Sequence, residues 1–185
     1  MDVTLSQLMA CTGARQDRAE RALPGLNEAM AMYEINTPAR VGMFLANVGH
    51  ETGGLKWLIE LWGPTPAQRG YEGRADLGNT YFGDGYRYRG RGMLQTTGRA
   101  NYAKLTQRLR NRWPQAEIPD FEVSPELLAS AKWAAHAAAD YWGMRSLNIK
   151  ADAGDFTAVV KAINGGTNGM QDRLKLWKAA QGALA

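Results

Sequence analysis

One carboxylate set just ahead of two glycines constrains this chain most. The stretch is Val48-Gly49-His50-Glu51-Thr52-Gly53-Gly54-Leu55. Before it, Val41, Phe44, Leu45 and Val48 recur at helical spacing, which predicts a helix with one buried face. Thr37 suits the N-cap and Pro38 the first helical position, so the helix is expected to start there. Gly53 and Gly54 offer a left-handed C-terminal cap, which leaves Glu51 in the last turn. That turn is the negative end of the helix dipole, where Lys or Arg is normally favoured. A carboxyl group becomes a general acid near neutral pH when dipole, partial burial or a second carboxylate disfavours its charged form. Glu51 is therefore the first candidate for proton-transfer chemistry, with a solvated helix-end glutamate as the plain alternative.

The chain has 185 residues and is 45% hydrophobic, enough for a single domain, residues 1–185, with a substantial core. Cys11 is the only cysteine, which excludes an intramolecular disulfide and points to a reducing compartment at synthesis. The start, Met1-Asp2-Val3-Thr4-Leu5, lacks the basic and apolar regions of a secretory signal, and no apolar run approaches the ~20 residues of a membrane span. Synthesis as a soluble cytoplasmic protein is expected. A net charge of +4 favours polyanionic partners such as nucleic acid, anionic lipid heads or wall polymers carrying carboxylates. The basic residues are dispersed, so a nucleic-acid arm is not indicated.

Along the chain, Thr4-Leu5-Ser6-Gln7 has the form of a capping box opening a short helix that stops near Gly13. A second helical run, Arg15 to Ala22, is expected to yield at Pro24-Gly25, with Leu26, Met30 and Tyr33 continuing the pattern. After Gly54 comes a second apolar segment, Leu55 to Trp62, with Glu60 near its end. On one continuous helix Glu51 and Glu60 would point to opposite sides, and the glycine break lets them face each other. The stretch from Gly63 to Thr97 is too long for an idle connection, and such regions usually carry function. Thr65 to Gln68 is expected to cap one short helical turn. Tyr81 to Arg89 reads as a β-hairpin about Asp84-Gly85, with Tyr86 and Tyr88 on one face and Arg87 and Arg89 on the other. Thr97 is expected to N-cap the helix carrying Tyr102, Leu105 and Leu109, and its hydroxyl also suits orienting a water. Further helices are expected from Ser124-Pro125-Glu126, over Ala131 to Trp142, after Asp155, and from Gln171 to Ala180. His136 fits a core histidine.

Several chemistries can be set aside. The second histidine of a His-Glu-x-x-His zinc helix would fall at Gly54, and with only His50 and His136 a histidine zinc triad is excluded. Gly90 to Gly98 lacks the Lys-Ser/Thr ending of a P-loop, and no Gly-x-Ser-x-Gly elbow is present. No metal or cofactor is expected. Carboxylate chemistry remains, and glycoside hydrolysis is its common two-carboxylate form.

The chain also resembles a known family. Gly49-His50-Glu51-Thr52-Gly53-Gly54, Tyr71-Glu72-Gly73-Arg74 with Asp76-Leu77-Gly78-Asn79, Tyr88-Arg89-Gly90-Arg91-Gly92 with Gln95, Asn101-Tyr102, and Ile163-Asn164-Gly165-Gly166 match in order over roughly residues 37 to 175. Together they resemble the chitinase-like glycoside hydrolase family 19, especially its phage endolysin branch. The resemblance implies a predominantly helical, lysozyme-like α+β fold of two lobes, with a small hairpin beside the cleft. It also implies inverting hydrolysis of β-1,4 links between N-acetylated amino sugars. Glu51 matches the family's general acid. The base is Glu72, which lies where the chitinases carry theirs, or Glu60, which matches the second glutamate of related endolysins. Thr97 falls where a Ser or Thr helps hold the attacking water. Gln95, Asn101 and Asn164 match sugar-contacting positions, Tyr88 and Tyr102 lie in the same motifs, and Arg173 matches a late arginine. The implied function is a muramidase-like endolysin for peptidoglycan glycan strands, monomeric, without a separate wall-binding module, acting at the wall after a holin permeabilises the membrane. A chitinase acting on chitin oligomers and a non-enzymatic carbohydrate- or nucleic-acid-binding module are the alternatives.

Overall fold

The computed structural model describes all 185 residues, and the fold is predominantly helical, with ten α-helices and two 3-10 turns. The only β pairing is two isolated antiparallel bridges, Ile59 with Arg91 and Arg91 with Thr96. The chain divides into two compact units, residues 1–57 with 141–185, and residues 58–140.

The first unit is built round α3, Pro38–Thr52, which packs against α1 (Leu5–Thr12), α8 (Leu147–Asp152), α9 (Phe156–Asn164) and α10 (Met170–Ala183). Every residue of α3 from Val41 to Gly49 is buried, so the helix is a central strut rather than a one-faced surface helix. Two glycines make this possible. A Cβ on Gly49 would stand 2.5 Å from the Thr12 carbonyl oxygen, and one on Gly42 would enter the Trp177 ring. The helix ends where the sequence indicates: Thr37 accepts the Arg40 N–H, Pro38 occupies the first turn, and Gly53 caps in the left-handed conformation. The Thr4–Gln7 capping box and the Asp155 cap also form.

The expected break at Pro24-Gly25 does not occur. Helix α2 runs unbroken over Gln16–Met32 with Pro24 inside it. An interior proline costs a helix about 3 kcal/mol, but Ala22, Gly25, Leu26, Ala29 and Met30 are all buried on the face that continues past it. Burying a side chain of Leu or Met size stabilises by about 1.5–3 kcal/mol, so two such residues offset the proline.

The second unit holds α4 (Pro66–Arg69), a 3-10 turn at Ala75–Leu77, α5 (Asp84–Arg87), α6 (Arg99–Arg112), a 3-10 turn at Pro125–Ala129, and α7 (Ala131–Met144) through Asp140. Its core gathers Met93, Tyr102, Leu105, Leu109, Phe121 and Leu128 about the alanines of α7, and His136 lies fully buried between Trp113 and Trp133. The hairpin expected over Tyr81 to Arg89 is absent, because Asp84-Gly85 opens helix α5 instead. Asp84 is claimed by Arg99 and the Tyr81 N–H, while Glu72 accepts the N–H groups of Gly83 and Gly85. Those bonds satisfy the free donors at a helix start and leave none for a hairpin ladder. Thr97 does not cap α6 either. Gly98 holds that position with φ 92°, and the Arg99 N–H is met by the buried Asn79 side chain.

Candidate active site

In the first unit the site grows from the last turn of α3. Glu51 stands one turn beyond Asn47, and both reach Arg173 on the first turns of α10. The Arg173 guanidinium is 2% exposed; one Nη donates to Asn47 Oδ1 at 2.7 Å and the other to Glu51 Oε1. Asn47 is fully buried and anchored in turn by its own donation to the Met43 carbonyl. The cation missing from the C-terminal turn of α3 is thus supplied by another helix. Glu51 remains 25% exposed, and its Oε2 has no partner in the protein. Beside it, His50 Nδ1 lies 2.6 Å from Asp172, which links the same two helices a second time. Tyr141 packs nearby, its hydroxyl donating to the carbonyls of Ala162 and Ile163; burial raises its pKa above the ordinary phenol value, Arg145 lowers it, and Glu51 adds to the rise.

The second unit contributes Glu60 and Glu72. Glu60 follows the extended bridge residue Ile59, and both its carboxylate oxygens are engaged. Oε1 accepts from Gln68 at 3.0 Å and from the Tyr71 hydroxyl at 3.3 Å, while Oε2 accepts the Gly90 N–H at 3.0 Å. Burial, then the neighbouring Glu60 carboxylate, hold the Tyr71 hydroxyl above its usual pKa. Gln68 is the third helical residue of the expected Thr65–Gln68 capping box, so the short helix α4 serves to aim a donor at Glu60. Trp62 packs edge-on to Tyr86 at 5.3 Å and lies 6.3 Å from Tyr71. Glu72 is exposed and binds the backbone at the start of α5, with bonds of 2.6 and 2.8 Å.

The remaining expected residues fall into two groups. Gln95, Thr97, Asn101 and Asn164 are at least partly exposed, with Asn101 donating to the Thr97 carbonyl and Asn164 to the Asn168 carbonyl. Tyr88 and Tyr102 are 1% and 0% exposed, which leaves their rings no open face for a sugar. They stack edge-on at 5.4 Å and donate to the carbonyls of Glu122 and Arg89. Burial pushes the Tyr102 hydroxyl up to about 12, against the pull of Arg91. Asn47, Gln68 and Asp172 are site neighbours that the family motifs do not mark. Asn47 carried a local signal, four residues before Glu51 on one helix face, and Gln68 another, as the last residue of the expected capping box.

Within the first unit, then, one carboxylate is clamped through a single oxygen with the other open; within the second, two more are held by neutral donors. A scan against protein-family models finds no match. A glycosyl hydrolase family 19 domain-containing protein of Haemophilus influenzae is 33% identical over 164 residues, covering 74% of this chain and 76% of that protein. Among solved structures, chitinase C from Streptomyces griseus superposes with a TM-score of 0.73 at 22% identity, over 98% of this chain and 76% of its own. A bacterial family 19 chitinase gives 0.73 at 22% identity, over 99% and 95%. The fold is theirs, and with the sequence relationship it follows that this chain belongs to glycosyl hydrolase family 19 and is a chitinase-like glycoside hydrolase.

Proposed function

We propose that this chain is an endolysin-type enzyme that cleaves β-1,4 bonds of peptidoglycan glycan strands with inversion. Glu51 acts as the general acid. The observation that carries this role is its half-committed carboxylate: Oε1 is fixed by Arg173 and Oε2 is open, so orientation and proton delivery fall to different oxygens. The proton on Oε2 passes to the leaving glycosidic oxygen. Glu60 takes a proton from the attacking water, with Thr97 as a hydroxyl that orients it. Glu60 is favoured over Glu72 because it lies among Tyr71, Trp62 and Tyr86, rings of the kind sugars pack against. Both glutamates accept hydrogen bonds through both oxygens, so the preference rests on those rings. Gln95, Asn101 and Asn164 supply polar contacts to the glycan. A net charge of +4 suits a strand bearing carboxylates. Access to the wall through a holin belongs to the same proposal.

The solved relatives are chitinases, which favours a second reading, hydrolysis of chitin oligomers. Turbidity loss of outer-membrane-permeabilised Gram-negative cells, run beside reducing-sugar release from chitin, separates the two. Wild type is expected to lyse the cells, and Glu51→Gln and Glu60→Gln to abolish lysis, with Glu72→Gln retaining it. Activity on chitin alone would select the second reading. Lysis by Glu51→Gln at the wild-type rate would remove Glu51 as the acid.

A further inference from the structure

The second unit contains a cation without a counter-ion beside Glu60. Arg74, Arg99 and Arg108 of this unit hold Asp76, Asp84 and Asp140 in ion pairs. Arg89 holds none. Its guanidinium lies 4.0 Å over the Tyr86 ring and donates one Nη1 bond, 2.8 Å, to the Tyr86 carbonyl. Its Nε is shielded from solvent with no acceptor, and Nη2 has no partner. Glu60 does not neutralise it, since the Glu60 oxygens accept from Gln68, Tyr71 and the Gly90 N–H. Burial, and then the positive charge of Arg91, disfavour the charged guanidinium, with only partial relief from Tyr86, Tyr102 and Glu60. A shielded cation with unused donors is stabilised when an anion arrives.

The neighbours indicate what kind of anion. Tyr86, 53% exposed, stacks on Arg89 and meets Trp62, which lies against Tyr71. Aromatic faces suit the apolar face of a sugar ring, and the unused Nη2 of the Arg89 guanidinium supplies a charge-assisted donor that fits a carboxylate. We propose that Arg89 binds a carboxylate carried by the glycan and so selects an anionic strand over a neutral one. The inference rests on the reading of Glu60 as part of the substrate site, and it deepens that reading by naming a specificity residue. The carboxylate comes either from a lactyl ether on the sugar or from a peptide attached to it.

The test is calorimetric binding to the full chain carrying Glu51→Gln, so that no turnover occurs, with and without Arg89→Gln. The probes are chitotetraose, a muramyl tetrasaccharide with free lactyl carboxylates, and the same tetrasaccharide with its lactyl groups amide-linked to stem peptides. Arg89→Gln is expected to weaken a carboxylate-bearing probe about tenfold or more, as loss of a charge-assisted hydrogen bond does, and to bring its affinity close to that of chitotetraose. Arg89→Lys should retain part of the preference. Weakening of the free-lactyl probe assigns the sugar source, and weakening of the peptide-bearing probe alone assigns the stem. Equal affinities for anionic and neutral probes with Arg89 present would overturn the proposal, as would an equal loss for both in Arg89→Gln. Arg89-dependent preference in an enzyme that cleaves only chitin would sink the peptidoglycan reading and leave this one standing.

Discussion

Replacing Arg173 with Met tests the clamp on Glu51 most directly. The guanidinium is 2% exposed and Glu51 25%, so the substitution leaves a largely shielded carboxylate without its counter-charge. It also removes the donor to Asn47 Oδ1, which is fully buried. Breaking a buried ion pair from one side costs about 3–5 kcal/mol, and the residual exposure of Glu51 places this pair toward the lower end. The lost Asn47 bond adds about 1 kcal/mol, while the methionine chain keeps most of the packing. Arg173→Met is thus expected to lose about 3–4 kcal/mol, a fall in melting temperature of roughly 10 °C for a chain of this length. Combining it with Glu51→Gln removes both charges, so the double variant should be more stable than the sum of the singles predicts, by at least about 1.5 kcal/mol. Urea titration of the four proteins at pH 7 measures the cycle. If Glu51 is the acid as proposed, glycan hydrolysis by Arg173→Met should fall about 100-fold or more, because the carboxyl is no longer held in place. A loss of stability under about 1 kcal/mol, or strict additivity in the cycle, would refute the clamp.

Other outcomes follow from single contacts. The Asp84 carboxyl is held below its ordinary value by Arg99, with burial opposing and the Tyr81 N–H assisting. Its stabilisation is therefore complete above the unfolded carboxylate value, about pH 4, and is lost as pH falls through the lower folded value. Asp84→Asn should be less stable at pH 7 and lose less on acidification to pH 3, and parallel urea midpoints for both proteins would contradict this. Burial pushes the Cys11 thiol up to about 11, so aromatic disulfide reagents at pH 8 should label it only as the chain unfolds, and rapid labelling of the native protein would show otherwise. Gly54 has φ +69°, and an added Cβ would lie 2.8 Å from the Gly13 carbonyl oxygen. Gly54→Ala should cost upwards of about 1 kcal/mol in thermal melts and disturb the turn behind Glu51; an unchanged melting temperature would mean the turn is not tight.

The difference between what was legible and what was not follows the range of the interactions. Thr37, Pro38 and Gly53 bounded α3 correctly because caps act within four residues of themselves. Asp84-Gly85 misled because its local turn preference competes with two distant partners, Glu72 and Arg99, that only the folded chain brings up. Thr97 failed as a cap for the same reason, since Asn79 arrives from 20 residues away to take the donor. Tyr88 and Tyr102 entered the expected site through their place in the family motifs, whereas packing against each other and against Arg91 and Arg99 buries them.

By itself the sequence determined the helix that carries Glu51 and excluded a histidine zinc triad and a disulfide framework. Its ordered motifs also pointed to the family. Periodicity, caps and residue counts are properties of short segments or of composition, and need no tertiary information. Only the tertiary structure decided how Glu51 is held and which donors Glu60 meets. Arg173 lies 122 residues from Glu51, and a contact at that separation is selected by the packing of α10 on α3 rather than by any local preference. The same holds for Arg89: its charge is written in the sequence, but its lack of a counter-ion emerges only when Gln68, Tyr71 and the Gly90 N–H have claimed the neighbouring Glu60 carboxylate.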